Sequence, residues 1–424
     1  MTPTKRRARW LAYLAVLGPG ILAAVAGNDA GGVYTYASAG AEYGFRMLWL
    51  LFFITFALIV VQEMCARMGA VTGKGLSDLI RENFGVRWTL VAMLALLIAN
   101  SFITMSEFAG IASALQMFGI PGYLSVPVVA VAVWLLVVKG DYGTVEKGLI
   151  IIALLFLAYP IAAFLEPVPW GNVLHTMLVP SSTWLDTSPR FILLGIGIIG
   201  TTVAPWMQFY VQASVVDKGV RTQDLPMQRA DIFSGGIVAN LVAFFIIVVT
   251  ATAFLGRHQP IGSALDAATT LRPVAGNFAS LLFAAGLLGA SVMGALAVPL
   301  TTSYAVSEAF GWERGLGQRF RQAPLFYGLY TFIIAVSALV VMVLSAIGKD
   351  ALLIEAILRA QQISGMITPI ILVFILLLIN NPRLMGRHTN SRVYNIIAWG
   401  TVALVGLFIL AWLATELLPG LFAR

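Results

Sequence analysis

The sequence predicts an all-α integral membrane protein: eleven transmembrane helices in a five-plus-five inverted repeat with one extra helix, the first and sixth being discontinuous. Three observations predict it. The chain has 424 residues, of which 59% are hydrophobic and only 11% charged. Its mean hydropathy is +0.90, and its charge density is about half that of an ordinary soluble domain. Apolar stretches of spanning length follow one another with no long polar linker. Interruptions rich in Gly and Pro recur at matching positions of the two halves.

The opening MTPTKRRARW is basic and runs into a long apolar segment with no small-residue cleavage site. It reads as a cytoplasmic lead-in, not a cleaved signal peptide. Spans then fall at about 10–40, 46–70, 88–118, 122–139, 147–166, 190–217, 231–256, 275–308, 324–347, 352–379 and 391–418. They form one membrane domain over 1–424, with repeat one at about 10–166, repeat two at about 190–379 and the extra helix at about 391–418. With the N-terminus inside, cytoplasmic pieces hold eighteen Lys and Arg, and external pieces only Arg46, Arg190, Arg257, Arg272, Lys349 and Arg424. That asymmetry predicts a cytoplasmic N-terminus and an external C-terminus in the cell membrane. A net charge of +7 invites a nucleic-acid reading, but the basic residues stand singly in short loops, so topology explains them better. The single cysteine, Cys65, excludes an internal disulfide framework.

Inside the first span lies "AVAGNDAGGVYTYASAGAEYG", residues 24–44. It carries an ionisable Asp29 and the pair Gly31-Gly32 where a membrane helix should avoid both. The sixth span is interrupted in the corresponding place by "GIGIIGTTVAPW", residues 195–206. Paired breaks of this kind mark a midplane binding site in secondary transporters. Unwinding frees backbone carbonyls, and an Asp beside them makes an oxygen cage suited to a hard cation. The plainer reading of Asp29 is a cap on the second half-helix. Intramembrane carboxylates are usually functional, which favours the cation site.

These segments resemble the Nramp divalent-metal transporters over nearly the whole chain. "GPGILAAVAGNDAGG" is similar to that family's first-helix segment, whose motif reads Asp-Pro-Gly-Asn. "VTGKGLSDLIRENFG" (71–85) resembles its second-helix exit, "NNPRLMGRHTNSR" (380–392) its Leu-Met-Gly loop, and "TTVAPW" (201–206) its Met-Pro-His segment. The resemblance implies a LeuT-like fold and a divalent-cation site between the first and sixth helices. Asp29 keeps the motif's Asp, whereas Ala30 stands at the Pro position, Gly32 at the Asn, Ala204 at the Met and Trp206 at the His. Loss of a soft thioether removes discrimination in favour of transition metals, and two small residues enlarge the site. Asp29, carbonyls near Ala26 and Thr201, a few hydroxyls and room for water at Gly32 and Ala204 suit Mg2+, which keeps several waters when bound. This pattern resembles the family's Nramp-related magnesium transporters, with Mn2+ still a substrate and no cofactor beyond the transported ion.

The family couples metal uptake to protons through His and carboxylates. Here His175, His258 and His388 all fall in loops. The third-helix Glu is present as Glu107, but Thr104 stands where an Asp is expected, and residues 325–346 carry no charge. The relay reads as dismantled. In the tenth span Glu355 and Arg359 are four apart and can pair on one helical face; alignment on Pro369 puts Gln362 at a family Gln. Glu355 is otherwise a peripheral cation carboxylate, Gln208 and Gln212 candidate lining of a wet path, and Trp206 a gate or a packing residue. Competing functions are a proton-coupled Mn2+/Fe2+ transporter, a trivalent-ion carrier and a sodium-coupled amino-acid transporter, whose substrate carboxylate Asp29 would repel. An enzyme is not expected, because a membrane metallohydrolase needs a set such as His-Glu-x-x-His and none occurs. The expected partners are the ion and the lipid bilayer, with the chain acting as a monomer.

Overall fold

The computed structural model describes residues 28–139, 155, 158–181, 184, 186–254, 260–315, 320–349 and 351–417. Every regular element among them is helical. The main helices are α1 (Ala30–Tyr43), α2 (Leu48–Thr72), α3 (Leu76–Gln116), α4 (Gly122–Lys139), α5 (Ala158–Leu165) and α6 (Pro189–Thr202). They continue as α7 (Pro205–Asp217), α8 (Leu225–Ala253), α9 (Ala279–Phe310), α10 (Pro324–Ala346), α11 (Ala351–Ile379) and α12 (Arg392–Leu417). Nine stretches among the described residues are long and apolar enough to cross a membrane. The first of these, Ala30–Thr72, joins part of the first predicted span to the second. Of the fifth predicted span, 147–166, residues 155 and 158–166 are described, and the rest lie outside the described residues.

One helical arm was not expected, and one expected break is met, each for a clear reason. The apolar run of the third span starts just past Gly85, close to the expected 88; Gly85, at φ 77 and ψ 176, leaves helical geometry and sets off a separate helical arm before it. Only glycine adopts that geometry cheaply, so 76–84 becomes a short arm set at an angle to the apolar run. In the sixth span, Val203 and Ala204 leave helical geometry, and Pro205 opens α7 at a position where its missing N–H costs nothing.

The core is built on α3, which runs between α9 and α11, while α1 lies against α8, α6 and α11. α6 and α11 meet backbone to backbone. A Cβ on Gly200 would strike the Gln361 carbonyl, and one on Gly365 the Ile196 carbonyl. α12 sits at the periphery, with Leu407 and Leu410 exposed, as fits a helix added outside two repeats. One buried knot ties it in. The Arg67 guanidinium donates to Glu63, to the carbonyls of His388 and Thr389, and to Asn390, while Arg229 takes the other Glu63 oxygen at 2.8 Å. The Leu-Met-Gly loop is therefore held through its backbone.

Candidate functional site

The described residues begin at Asn28, so Ala26, Gly27 and the earlier part of the expected first break lie outside them. Asp29 is the N-cap of α1, and its Oδ1 accepts the Gly32 N–H at 2.7 Å. The capping reading of Asp29 is thus part of its role. It is also 3% exposed, deep among apolar helices. A second carboxylate joins it. Glu107 of α3, fully buried, accepts the Ala30 N–H through Oε2 at 3.4 Å, while Oε1 meets the Ser106 hydroxyl at 3.3 Å. Gln361 of α11 reaches the same Ser106 hydroxyl at 3.5 Å, its amide lying where a Gly31 side chain would be. Three helices therefore converge on the first turn of α1. A helix N-terminus carries about half a positive elementary charge, which favours a carboxylate there.

The second break faces α11 and α1. Ala204, 2% exposed, is the N-cap of α7. Ser364 donates to the Gly200 carbonyl at 3.1 Å and Thr368 to that of Val203 at 3.3 Å. The Thr202 hydroxyl meets Tyr36 at 2.9 Å, and buried Thr201 lies beside it. Freed carbonyls at this break are thus partly satisfied by α11 hydroxyls, as a helix interrupted in lipid requires. Trp206 is 1% exposed and sits edge-on to Tyr210. Its indole N–H finds no acceptor among the described residues.

The other predicted residues scatter. Thr104 is buried and satisfied by the Asn100 carbonyl at 2.7 Å. Gln208 turns back on the Ala204 carbonyl at 3.4 Å, and Gln212 fastens α7 to the Lys74 carbonyl at 2.9 Å. Gln362 packs towards Gly197 of α6, so its neighbour Gln361 is the glutamine at the break. Glu355 stands at the far end of α1, about 18 Å along the helix axis. There it pairs with Arg359 at 2.8 Å and lies 3.6 Å from Arg190, which also grips Glu42 of α1 with two bonds of 2.8 and 2.9 Å. Arg46 meets Asp186 at 3.0 Å at this same end.

At the opposite end a cavity of about 280 Å³ opens along α7 and α9, lined by Phe209, Tyr210, Asp217, Thr301, Tyr304 and Glu308. No group of three or more His, Cys, Asp or Glu able to hold a metal occurs among the described residues. An ion at the breaks would therefore draw most of its ligands from carbonyls, hydroxyls and water. Sequence reasoning missed Gln361, Ser106 and the approach of Glu107 to Ala30. Only the adjacency of Ser106 and Glu107 was a visible signal.

The family profile described as "Natural resistance-associated macrophage protein-like" (Nramp) matches residues 20–415. The divalent metal cation transporter MntH of Mesorhizobium japonicum is 27% identical over 92% of this chain and 86% of its own length. That of Deinococcus radiodurans is 26% identical over 96% and 91%. Among solved structures, the Eremococcus coleocola manganese transporter superposes with a TM-score of 0.77 at 21% identity, over 98% of this chain and 89% of its own. MhsT in complex with L-phenylalanine gives 0.56 at 16% identity, over 93% and 98%. The architecture is LeuT-like.

Proposed function

Because this chain belongs to the Nramp family, we propose that it carries divalent cations across a membrane by alternating access, Mg2+ foremost and Mn2+ as well, without coupled proton flow. One observation carries the reading: a buried carboxylate, Asp29, at a helix break that faces a second break whose ligand positions hold Ala204 and Trp206. The relatives named as divalent metal cation transporters support the class of cargo. The side chains lost at Gly32 and Ala204 support the choice of ion. Asp29 supplies the charge, carbonyls at Ala26 and Thr201 supply oxygen, and the space left at Gly32 and Ala204 holds water that Mg2+ retains. A dication gains about 4.6 kcal/mol from an inside-negative potential of 100 mV, at about 2.3 per charge, so uptake needs no proton. The protein acts as a monomer in the cell membrane, with its N-terminus cytoplasmic and its C-terminus external.

A second reading is favoured by Glu107. Two carboxylates on one helix turn, Asp29 and Glu107, are a place where a proton can be exchanged against a metal, as a proton-coupled Mn2+/Fe2+ transporter requires. One experiment separates the two. Vesicles containing the full chain and a lumenal pH dye are given Mg2+ or Mn2+ under an inside-negative potential. Uptake without acidification beyond the empty-vesicle leak is expected. Metal-dependent acidification that disappears in Glu107→Gln would establish the second reading instead.

A further inference from the structure

The buried carboxylate of Glu107 needs a place to stand, and α9 provides it. A Cβ built on Gly294 would lie 2.7 Å from Glu107 Cδ, 2.7 Å from Oε2 and 2.8 Å from Cγ. All three atoms belong to the end of one side chain. This differs from Gly200 and Gly365, where the atoms met first are the backbone of the facing helix. At those two positions glycine lets helices touch. At Gly294 it makes room for a charged group.

The surroundings fix the direction in which that group must point. The slot has Gly294 as one wall and the first turn of α1 as the other, where Oε2 accepts the Ala30 N–H at 3.4 Å. One turn further along α3, Gly110 faces Ser291 of α9 and the methyl group of Ala30. The pairs 107/294 and 110/291 are thus successive levels of one close crossing, and α1 ends against both. Glu107 is closed in on the remaining side by Ser106, whose hydroxyl meets Oε1. A methyl group on Gly294 therefore leaves the carboxylate no room beside Ala30.

We propose that Gly294 is the seat of the Glu107 carboxylate, and so a positioning residue that holds a second negative charge beside Asp29 for the transported cation. The inference rests on the reading of Asp29 as the cation site. Groups that orient a metal site without ligating it typically contribute about 10- to 100-fold in affinity or activity. Displacing Glu107 through Gly294 belongs in that range. The clash is with the far end of a flexible side chain, so Gly294→Ala preserves the helix packing.

The test uses the full chain in vesicles, with Mn2+ as the probe and uptake KM, Vmax and the melting temperature of each variant measured. Gly294→Ala is expected to raise KM for Mn2+ about tenfold or more with an unchanged melting temperature. The same substitution in a Glu107→Ala background should add nothing. Combined with Glu107→Asp, whose side chain is one methylene shorter, it should recover most of the loss. An equal penalty from Gly294→Ala with and without Glu107, or a parental KM in Gly294→Ala, overturns the proposal. If Gly294→Ala alone does not fold, rescue of folding by Glu107→Asp supports the seat, and failure of that rescue overturns it. Should Glu107→Ala by itself leave KM for Mn2+ unchanged, Glu107 has no part in binding and the proposal fails; parental uptake in Asp29→Asn is instead the result that overturns the underlying site reading.

Discussion

On the proposed function Asp29 has two jobs, a cap that is seen and a cation ligand that is proposed, and they can be pulled apart. Its Oδ1 caps α1 by accepting the Gly32 N–H, a role that Asn fills about as well as Asp. Its charge is what a dication requires. Asp29→Asn is therefore expected to melt within a few degrees of the parent yet lose Mg2+ and Mn2+ uptake. Asp29→Ala loses the cap as well, at a cost of about 0.5–2 kcal/mol, and should show both defects. Wild-type uptake in Asp29→Asn would remove this residue from the ligand set. Selectivity belongs to the same scale. Restoring Met at Ala204 and Asn at Gly32 returns a soft ligand and takes up water space. The double variant should move preference from Mg2+ towards Cd2+ in competition uptake, and an unchanged Mg2+/Cd2+ ratio would sink the cavity argument.

Elements explain what was legible and what was not. The break in the sixth span and the start of α1 at Asp29 were readable, because Gly, Pro and an acidic residue inside apolar runs are local signals that secondary structure obeys. The start of α3 was not. Gly85 sits in a polar stretch where a glycine serves a loop or a kink equally well, and only the φ of 77 decides. The site was half legible for a related reason. Asp29 and Ala204 stand in the breaks themselves, whereas Glu107 arrives from 77 residues away and Gln361 from 255 residues beyond Ser106. No spacing in the chain encodes those meetings. Gln362 was preferred over Gln361 because an anchor at Pro369 sets the register of a helix but not which face turns inward. The α6–α11 contact allows a prediction at this level. Ala at Gly200 or Gly365 forces backbone apart, and overpacking of this sort costs about 1–3 kcal/mol or more. Each variant should melt well below the parent in detergent, while Ala at Gly171, which meets nothing nearby, should not.

Across the whole molecule the two ends are unlike. At one, the tips of α1, α6 and α11 are drawn together by Arg190, Glu42 and Glu355; at the other, the 280 Å³ cavity lies open beside Asp217 and Glu308. Not every pair in that cluster weighs the same. Glu355 and Arg359 have side chains 40% and 56% exposed, and exposed pairs contribute about 0–1 kcal/mol. The two-bond contact of Arg190 with Glu42, whose side chain is only 10% exposed, has the better geometry. Arg190→Ala should therefore loosen this end. A cysteine placed at Ser38, which is 1% exposed, should then be labelled faster by a membrane-impermeant thiol reagent applied from that side. Buried Cys65 keeps the background low, and an unchanged rate would mean the cluster bears no share in closure.

The knot at Arg67 has a consequence for how the chain is made. Its acceptors at His388, Thr389 and Asn390 lie more than 320 residues downstream, so they emerge long after it. Until then Arg67 has Glu63 and Arg229 for company but three donor contacts still unmade. Chains grow from the N-terminus and fold as they appear, so a nascent protein carries this unfinished cation at its helix bundle until residues 388–390 arrive. Arrival of the 386–390 loop is thus what closes the Arg67 knot, and a chain stopped at residue 380 should be cleared by quality-control proteases far sooner than one that runs past the loop.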